Sequence, residues 1–222
     1  MTNIPFISGQ LYENYTKRII DIVFSIFLMI LFLPVSILSA ICIKLDSKGS
    51  VFADVPERVG QLGRKFKMFK FRSMINNAHK LLRTDPRFNK LYQEYKKGSY
   101  KLKSDPRITP VGRIIRKHSV DEIPQLINVL LGDMSIVGPR AYYPDELQNQ
   151  QKKYPYTKSL VTKVLSVKPG ITGLWQVSGR SEINFDKRIA LDAKYVDNIS
   201  LWKDLVIMLR TPWVMITGKG AV

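Results

Sequence analysis

The strongest constraint on this chain is an apolar run close to its start. Residues 19–43 read IIDIVFSIFLMILFLPVSILSAICI. As one straight helix the run would be roughly 37 Å long, more than the ~30 Å hydrocarbon core of a bilayer. It is apolar on every face, so the core helix of a soluble domain does not account for it. A secretory signal fits poorly too. Its apolar region is about 7–15 residues and ends at small residues, whereas Ile41 precedes Cys42 here. Two residues complicate a simple span. Pro34 removes a backbone hydrogen bond and forces a kink, and Asp21 places a carboxylate near the start. Lys17 and Arg18 precede the run, while Lys44 and Lys48 follow it, which allows both ends to be cytoplasmic. A helix broken at Pro34, with Ser36 close by to help satisfy the freed backbone groups, can enter a membrane and return to the same face. The sequence alone puts that hairpin only slightly ahead of a tilted span.

The rest of the chain is basic. The 222 residues carry a formal charge of +17, which suits nucleic acid, anionic lipid headgroups or phosphorylated substrates. A nucleic-acid partner is not expected: no RNP1-like or other recognition module is present, and such a role leaves the apolar run unexplained. Cys42 is the single cysteine, so no disulfide or cysteine-based zinc site forms within one chain. His79 and His118 are scattered and read as helix-surface or loop residues. P-loop, dinucleotide-binding, nucleophile-elbow and zincin motifs are all missing.

The organisation reads as a tail over 1–16, a membrane helix-hairpin over 17–46 and one domain over 47–222. The expected fold class is α+β and mainly helical: a small cytosolic domain with a short β-hairpin and amphipathic interfacial helices. Alternating apolar and basic residues around Phe66, Met68 and Phe71 predict the hairpin, with Gly60 and Gly63 at its turn. Amphipathic helices are predicted over 74–83 and 88–97, interrupted at Asp85-Pro86, and over 108–117. Pro124 starts another, which Gly132 ends. The segment KPGITGLWQVSGR over 168–180 reads as a loop, and 185–196 as a helix. Ser200 caps a last helix carrying Trp202, Leu205, Met208, Leu209, Trp213 and Ile216, read as core or as interfacial. Aromatic residues exposed on it are compatible with a homodimer, as is burial of the same residues in the core.

Asp121-Glu122 is the pair that can do chemistry. A carboxylate is a competent nucleophile at phosphorus, and a second one acts as a base if its pKa is raised. A divalent cation would bind a carboxylate together with substrate phosphates. Arg113, Arg116, Lys117 and Arg140 are near in sequence, and guanidinium groups hold phosphate oxygens in a fork. The competing reading is structural: Ser119-Val120-Asp121-Glu122 matches a capping box. Lys70, Arg72, Arg116, Arg140 and Arg180 are open to the same two readings, solvated charge or phosphate ligand. Arg140 and Arg180 follow glycine-containing turns, where backbone approaches a ligand closely.

Taken in order, KRIIDIVFS, KFRSM at 70–74, DPRITPVGRIIRKHSVDEIPQLINVLLGDMSIVGPR at 105–140 and KPGITGLWQVSGR at 168–180 resemble the bacterial sugar transferase family, the monotopic phosphoglycosyl transferases that begin lipid-linked glycan assembly. The resemblance covers nearly the whole chain. It implies that Asp121 is the nucleophile, attacking the β-phosphate of a UDP-sugar and releasing UMP, and that Glu122 is the base. It implies Mg²⁺, or Mn²⁺, bound at Asp121. Arg116, Arg140 and Arg180, with Lys70, Arg72 and Gln176, become candidate substrate ligands. Polyprenyl phosphate, such as undecaprenyl phosphate, becomes the acceptor, and anionic lipids surround it at the cytoplasmic face of the bacterial inner membrane. The resemblance also favours the re-entrant hairpin over the tilted span. GLWQ replaces the GWAQ form common in the family, which points to galactose or glucose as the sugar and to exopolysaccharide or O-antigen synthesis. A non-catalytic membrane scaffold remains the alternative.

Overall fold

The computed structural model describes residues 11–97, 100, 102, 104–179 and 183–217. A π-helical turn, Tyr12–Thr16, leads directly into α1 (Lys17–Leu31), and α2 (Leu33–Asp46) follows. The two meet at Phe32 with a bend of 60°. The break falls just before Pro34, in the first turn of α2, where a missing N–H is tolerated. The backbone recovers at once, with the Ser36 N–H donating to the Phe32 carbonyl at 2.9 Å. Among the described residues no single helix is long and apolar enough to cross a membrane; by length and composition alone, the bent pair taken together meets that measure.

α1 is built inside out. Asp21 and Ser25 are buried, while Ile19, Val23 and Ile30 are 62–69% exposed. The Asp21 carboxylate accepts a hydrogen bond from the Ile136 N–H at 3.0 Å, which gives the inward polar face a partner. The two basic residues before the apolar run also have internal partners. Arg18 donates to the carbonyls of Val129 and Leu130 at a helix end, and Lys17 pairs with Asp204. In α2 the outward residues are again apolar, Leu38 and Leu45 among them.

After α2 come β1 (Arg58–Val59) and β2 (Lys65–Phe66), an antiparallel hairpin with Gly60 and Gly63 in its turn, as its alternation predicts. Next are α3 (Ala78–Thr84) and α4 (Asn89–Lys97), split by a 3₁₀ turn at Pro86–Phe88. α3 starts four residues later than its periodicity suggests, because Asn77 adopts a left-handed conformation (φ 56°) and Met74 bridges Ile108 instead. α5 (Pro110–Lys117), α6 (Gln125–Leu131), β3 (Ser135–Val137), α7 (Pro144–Lys153) and α8 (Lys158–Val164) follow. Gly132 ends α6 at φ 90°.

The segment expected as a loop is ordered. Residues 170–172 form β4 (Gly170–Thr172), parallel to β3, and α9 (Leu174–Ser178) follows at once. Its glycines belong to a close backbone seam: a Cβ on Gly138 would sit 2.7 Å from the Gly170 nitrogen and the Lys168 carbonyl oxygen. α10 (Phe185–Val196) has its predicted bounds, and α11 (Leu201–Thr217) is the last described element.

The main core gathers Phe66, Met68, Leu126, Val129, Met134 and Ile136 around Tyr195 and Ile207. α1 packs on α6 and α11 packs on α9, so both apolar helices rest on the β3–β4 pair and its neighbours. A buried network fastens them: the Asp204 carboxylate accepts from Tyr12 Oη at 2.8 Å and Tyr195 Oη at 2.7 Å, and pairs with Lys17. α11 is not wholly a core helix. Trp202, Leu209, Trp213 and Ile216 all face outward.

Candidate active site

α5 begins on a cap, Thr109, whose Oγ1 accepts from the Gly112 N–H at 3.0 Å. At its end the chain reverses through Ser119, which is left-handed at φ 56°. A short 3₁₀ turn, Val120–Glu122, follows. A capping hydroxyl reaches the N–H groups ahead of it from an extended backbone. Ser119 is not extended and its side chain makes no capping bond, so the box expected at Ser119–Glu122 does not form. The dyad is instead braced by its main chain: the Phe71 N–H donates to the Asp121 carbonyl at 3.0 Å. That bond draws the 70–72 segment alongside, and further bonds from Ala53 to Lys70 and from Arg72 to Val51 hold it. Lys70 Nζ consequently lies 2.6 Å from Glu122 Oε1 and 3.8 Å from Asp121 Oδ2.

These groups line a cavity of about 420 Å³. Asp121, Glu122, Lys70, Arg72, Arg116, Arg140 and Gln176 all border it, and Gly170 forms part of its wall. Arg180 lies outside the described residues. Asp121 is buried, and burial raises its carboxyl above the ordinary carboxylate range. Lys70 pulls it back down, while the Glu122 charge adds to the rise.

Arg72 borders the cavity and also has protein partners. Its guanidinium donates to the carbonyls of Ile43, Ser47 and Lys48 and to Asn76 Oδ1. It therefore clamps the C-terminal end of α2, where orphan carbonyls need donors; its two terminal nitrogens are taken up by protein, while its Nε is buried without a partner. Arg140 follows β3. Its N–H donates to Asp192 Oδ2 at 3.1 Å, and its guanidinium carbon lies 5.3 Å from the centroid of Trp175. Arg188 lies at the same distance from Trp175 and pairs with buried Glu146 at 3.3 Å.

Several residues at the cavity carried no usable sequence signal. Arg58 reaches it from β1, beside Tyr143. His79, half-buried on α3, borders it as well. Burial first, then the charges of Arg58 and Arg107, push its pKa down to about 3, so the imidazole is neutral. Asp192 is fully buried behind Arg140 and its pKa is raised to about 7, chiefly by burial. A charged residue inside a helix pattern gives no warning of such depth.

A family model described as bacterial sugar transferase matches residues 12–218. The chain belongs to the bacterial sugar transferase family. Among its relatives is an undecaprenyl-phosphate galactose phosphotransferase of Salmonella typhimurium, 41% identical over 94% of this chain and 42% of its own length. An undecaprenyl-phosphate glucose phosphotransferase of Komagataeibacter xylinus is 36% identical over 90% of this chain and 36% of its own length. The exopolysaccharide production protein ExoY of Rhizobium meliloti is 38% identical, over 92% of this chain and 87% of its own length. Against the larger relatives the match covers 36–45% of their length. This chain thus has the span of a whole small family member or of the matching part of a larger one.

Proposed function

We propose that the chain transfers a hexose-1-phosphate, galactose or glucose, from a UDP-sugar to polyprenyl phosphate. The observation that carries this reading is a buried carboxylate, Asp121, bordering the cavity with Glu122 beside it and Lys70 within ion-pair range of both. Asp121 attacks the β-phosphorus of the donor; the bond from that phosphorus to the bridging oxygen breaks and UMP leaves with the electron pair. The phosphosugar is then held on Asp121 as an acyl phosphate. An oxygen of polyprenyl phosphate attacks the same phosphorus, any proton it carries passes to Glu122, and Asp121 is freed as a carboxylate. Lys70, Arg116 and Arg140 bind and orient phosphate oxygens while charge builds on them. The names of the relatives support donor and acceptor, and their roles in exopolysaccharide production support the pathway class.

A divalent cation fits the donor set. Among the described residues no cluster of three or more metal-binding side chains exists, and Mg²⁺ at phosphate sites characteristically takes one or two carboxylates and completes its shell with water and substrate oxygens. Asp121 and Glu122 would hold it, and it would supply charge neutralisation between carboxylate and diphosphate.

The inside-out packing of α1 and the 60° bend support a hairpin that dips into the cytoplasmic leaflet of the inner membrane and returns. Apolar residues then meet lipid, and the outward tryptophans of α11 suit the headgroup layer. The net charge of +17 favours that anionic surface. The cavity would open near the height of the acceptor phosphate.

The test is UMP release in the presence of Mg²⁺, UDP-galactose or UDP-glucose, and polyprenyl phosphate, with trapping of a phosphosugar adduct on Asp121. Asp121→Asn is expected to abolish both. Full turnover by Asp121→Asn would refute the nucleophile, and no UMP release from any UDP-sugar would leave the scaffold role standing.

A further inference from the structure

Arg58 is a buried cation whose counter-charge is missing among the described residues. It is 6% exposed, yet it borders the same cavity as Asp121. Its guanidinium carbon lies 3.3 Å from the centroid of the Tyr143 ring, and one nitrogen donates to the Ala141 carbonyl at 3.2 Å. Its Nε is buried with no partner. The neighbouring acids are committed elsewhere. Asp105 binds Arg107 through both carboxylate oxygens, and Glu146 pairs with Arg188. His79, next along the wall, is held neutral. Taking a guanidinium out of water without an anion is costly, and stacking on one ring does not neutralise it.

The fold also places this cation deliberately. Val59 bridges Tyr142, its N–H donating to the Tyr142 carbonyl at 2.9 Å. That contact sets β1 against the 140–143 segment and brings Arg58 and Arg140 to one cavity, although 82 positions separate them in the chain. The Nε of Arg140 is likewise buried and unpartnered.

We infer that Arg58, with Arg140, forms a seat for a phosphate monoester within the cavity. This rests on the reading of the cavity as a phosphoryl-transfer site. The phosphate comes either from the nucleotide product or from the lipid acceptor, and the two are separable.

The probes are UMP and farnesyl phosphate, each titrated by calorimetry into the full chain in neutral detergent micelles, with melting followed in parallel. Wild type, Arg58→Met and Arg58→Lys are compared. Met keeps the apolar stem and removes the charge; Lys keeps the charge without the fork. A charge-assisted bond is lost in Arg58→Met, so affinity for one probe falls by about tenfold or more, and Arg58→Lys lies between. Loss confined to UMP assigns the seat to the donor side; loss confined to farnesyl phosphate assigns it to the acceptor; loss of both makes it shared. Without ligand, Arg58→Met melts at or above wild type, because an uncompensated charge has gone. Unchanged affinity for both probes overturns the inference. So does an unliganded Arg58→Met protein that misfolds or melts below wild type, since the guanidinium would then be a structural piece. The readout is binding, so an error in assigning Asp121 as nucleophile leaves the result intact.

Discussion

Lys70→Met tests whether the dyad is ionised by its neighbour. A unit positive charge 3.8 Å from Asp121 contributes about 4 kcal/mol at an effective dielectric of ~20. Lys70 and Asp121 are 18% and 10% exposed at the side chain and Glu122 is 36% exposed, so screening trims the Glu122 pair most. If a quarter to a half of that figure favours the ionised nucleophile, about 1–2 kcal/mol is lost, which is about a 5- to 30-fold fall in rate near neutral pH. The sign follows from the direction of the shift. Burial already raises the Asp121 carboxyl and Lys70 opposes it. Without Lys70 the proton stays on to higher pH, so the acid limb of the activity profile moves upward and activity partly recovers on its alkaline side. The assay is kcat/KM for UMP release across about pH 5 to 9. A drop of the same size at every pH, with the acid limb unmoved, would refute the argument and leave Lys70 as a phosphate ligand alone.

Asp192→Asn reports on the buried carboxylate behind Arg140. Its folded pKa of about 7 exceeds the unfolded value of 3.8, so the wild type loses stability as pH rises between those values. The melting gap in favour of Asn is expected to widen over that window, and a pH-independent gap would contradict it. Gly170→Ala drives a Cβ into the main chain of Gly138 and Thr172. Overpacking against backbone costs about 3 kcal/mol or more, and melting should fall by at least about 6 °C; a change under about 2 °C would show that the seam gives way. Asp204→Ala strands the donors of Tyr12, Tyr195 and Lys17. A loss of about 3–5 kcal/mol is expected in chemical denaturation, and near-native stability would mean water replaces the carboxylate.

Elements with a local signature were legible in the residues alone. The bounds of α10 came from its period, the β1–β2 turn from Gly60 and Gly63, and the end of α6 from Gly132. The 168–180 segment was not, because Gly170–Thr172 becomes a strand only by pairing with β3, more than thirty residues away in the chain. Local chemistry suggested a capped helix at Ser119, and the tertiary bond from Phe71 to Asp121 accompanies a different turn. Residue type alone left the dyad and Lys70 open to two readings, and motif resemblance favoured the functional one; the structure gathers them around one cavity. Arg58 and Asp192 were missed because burial, not residue type or spacing, marks them out.

The seam between Gly138 and Gly170 limits how this cavity can be altered. Where it borders the cavity at Gly170, the wall is bare polypeptide, with no side chain to lengthen, shorten or recharge. Even one added methyl there pushes two segments apart, so that wall can be kept or broken but hardly retuned. Any tuning of what this cavity accepts then falls to the replaceable side chains along the rest of its lining.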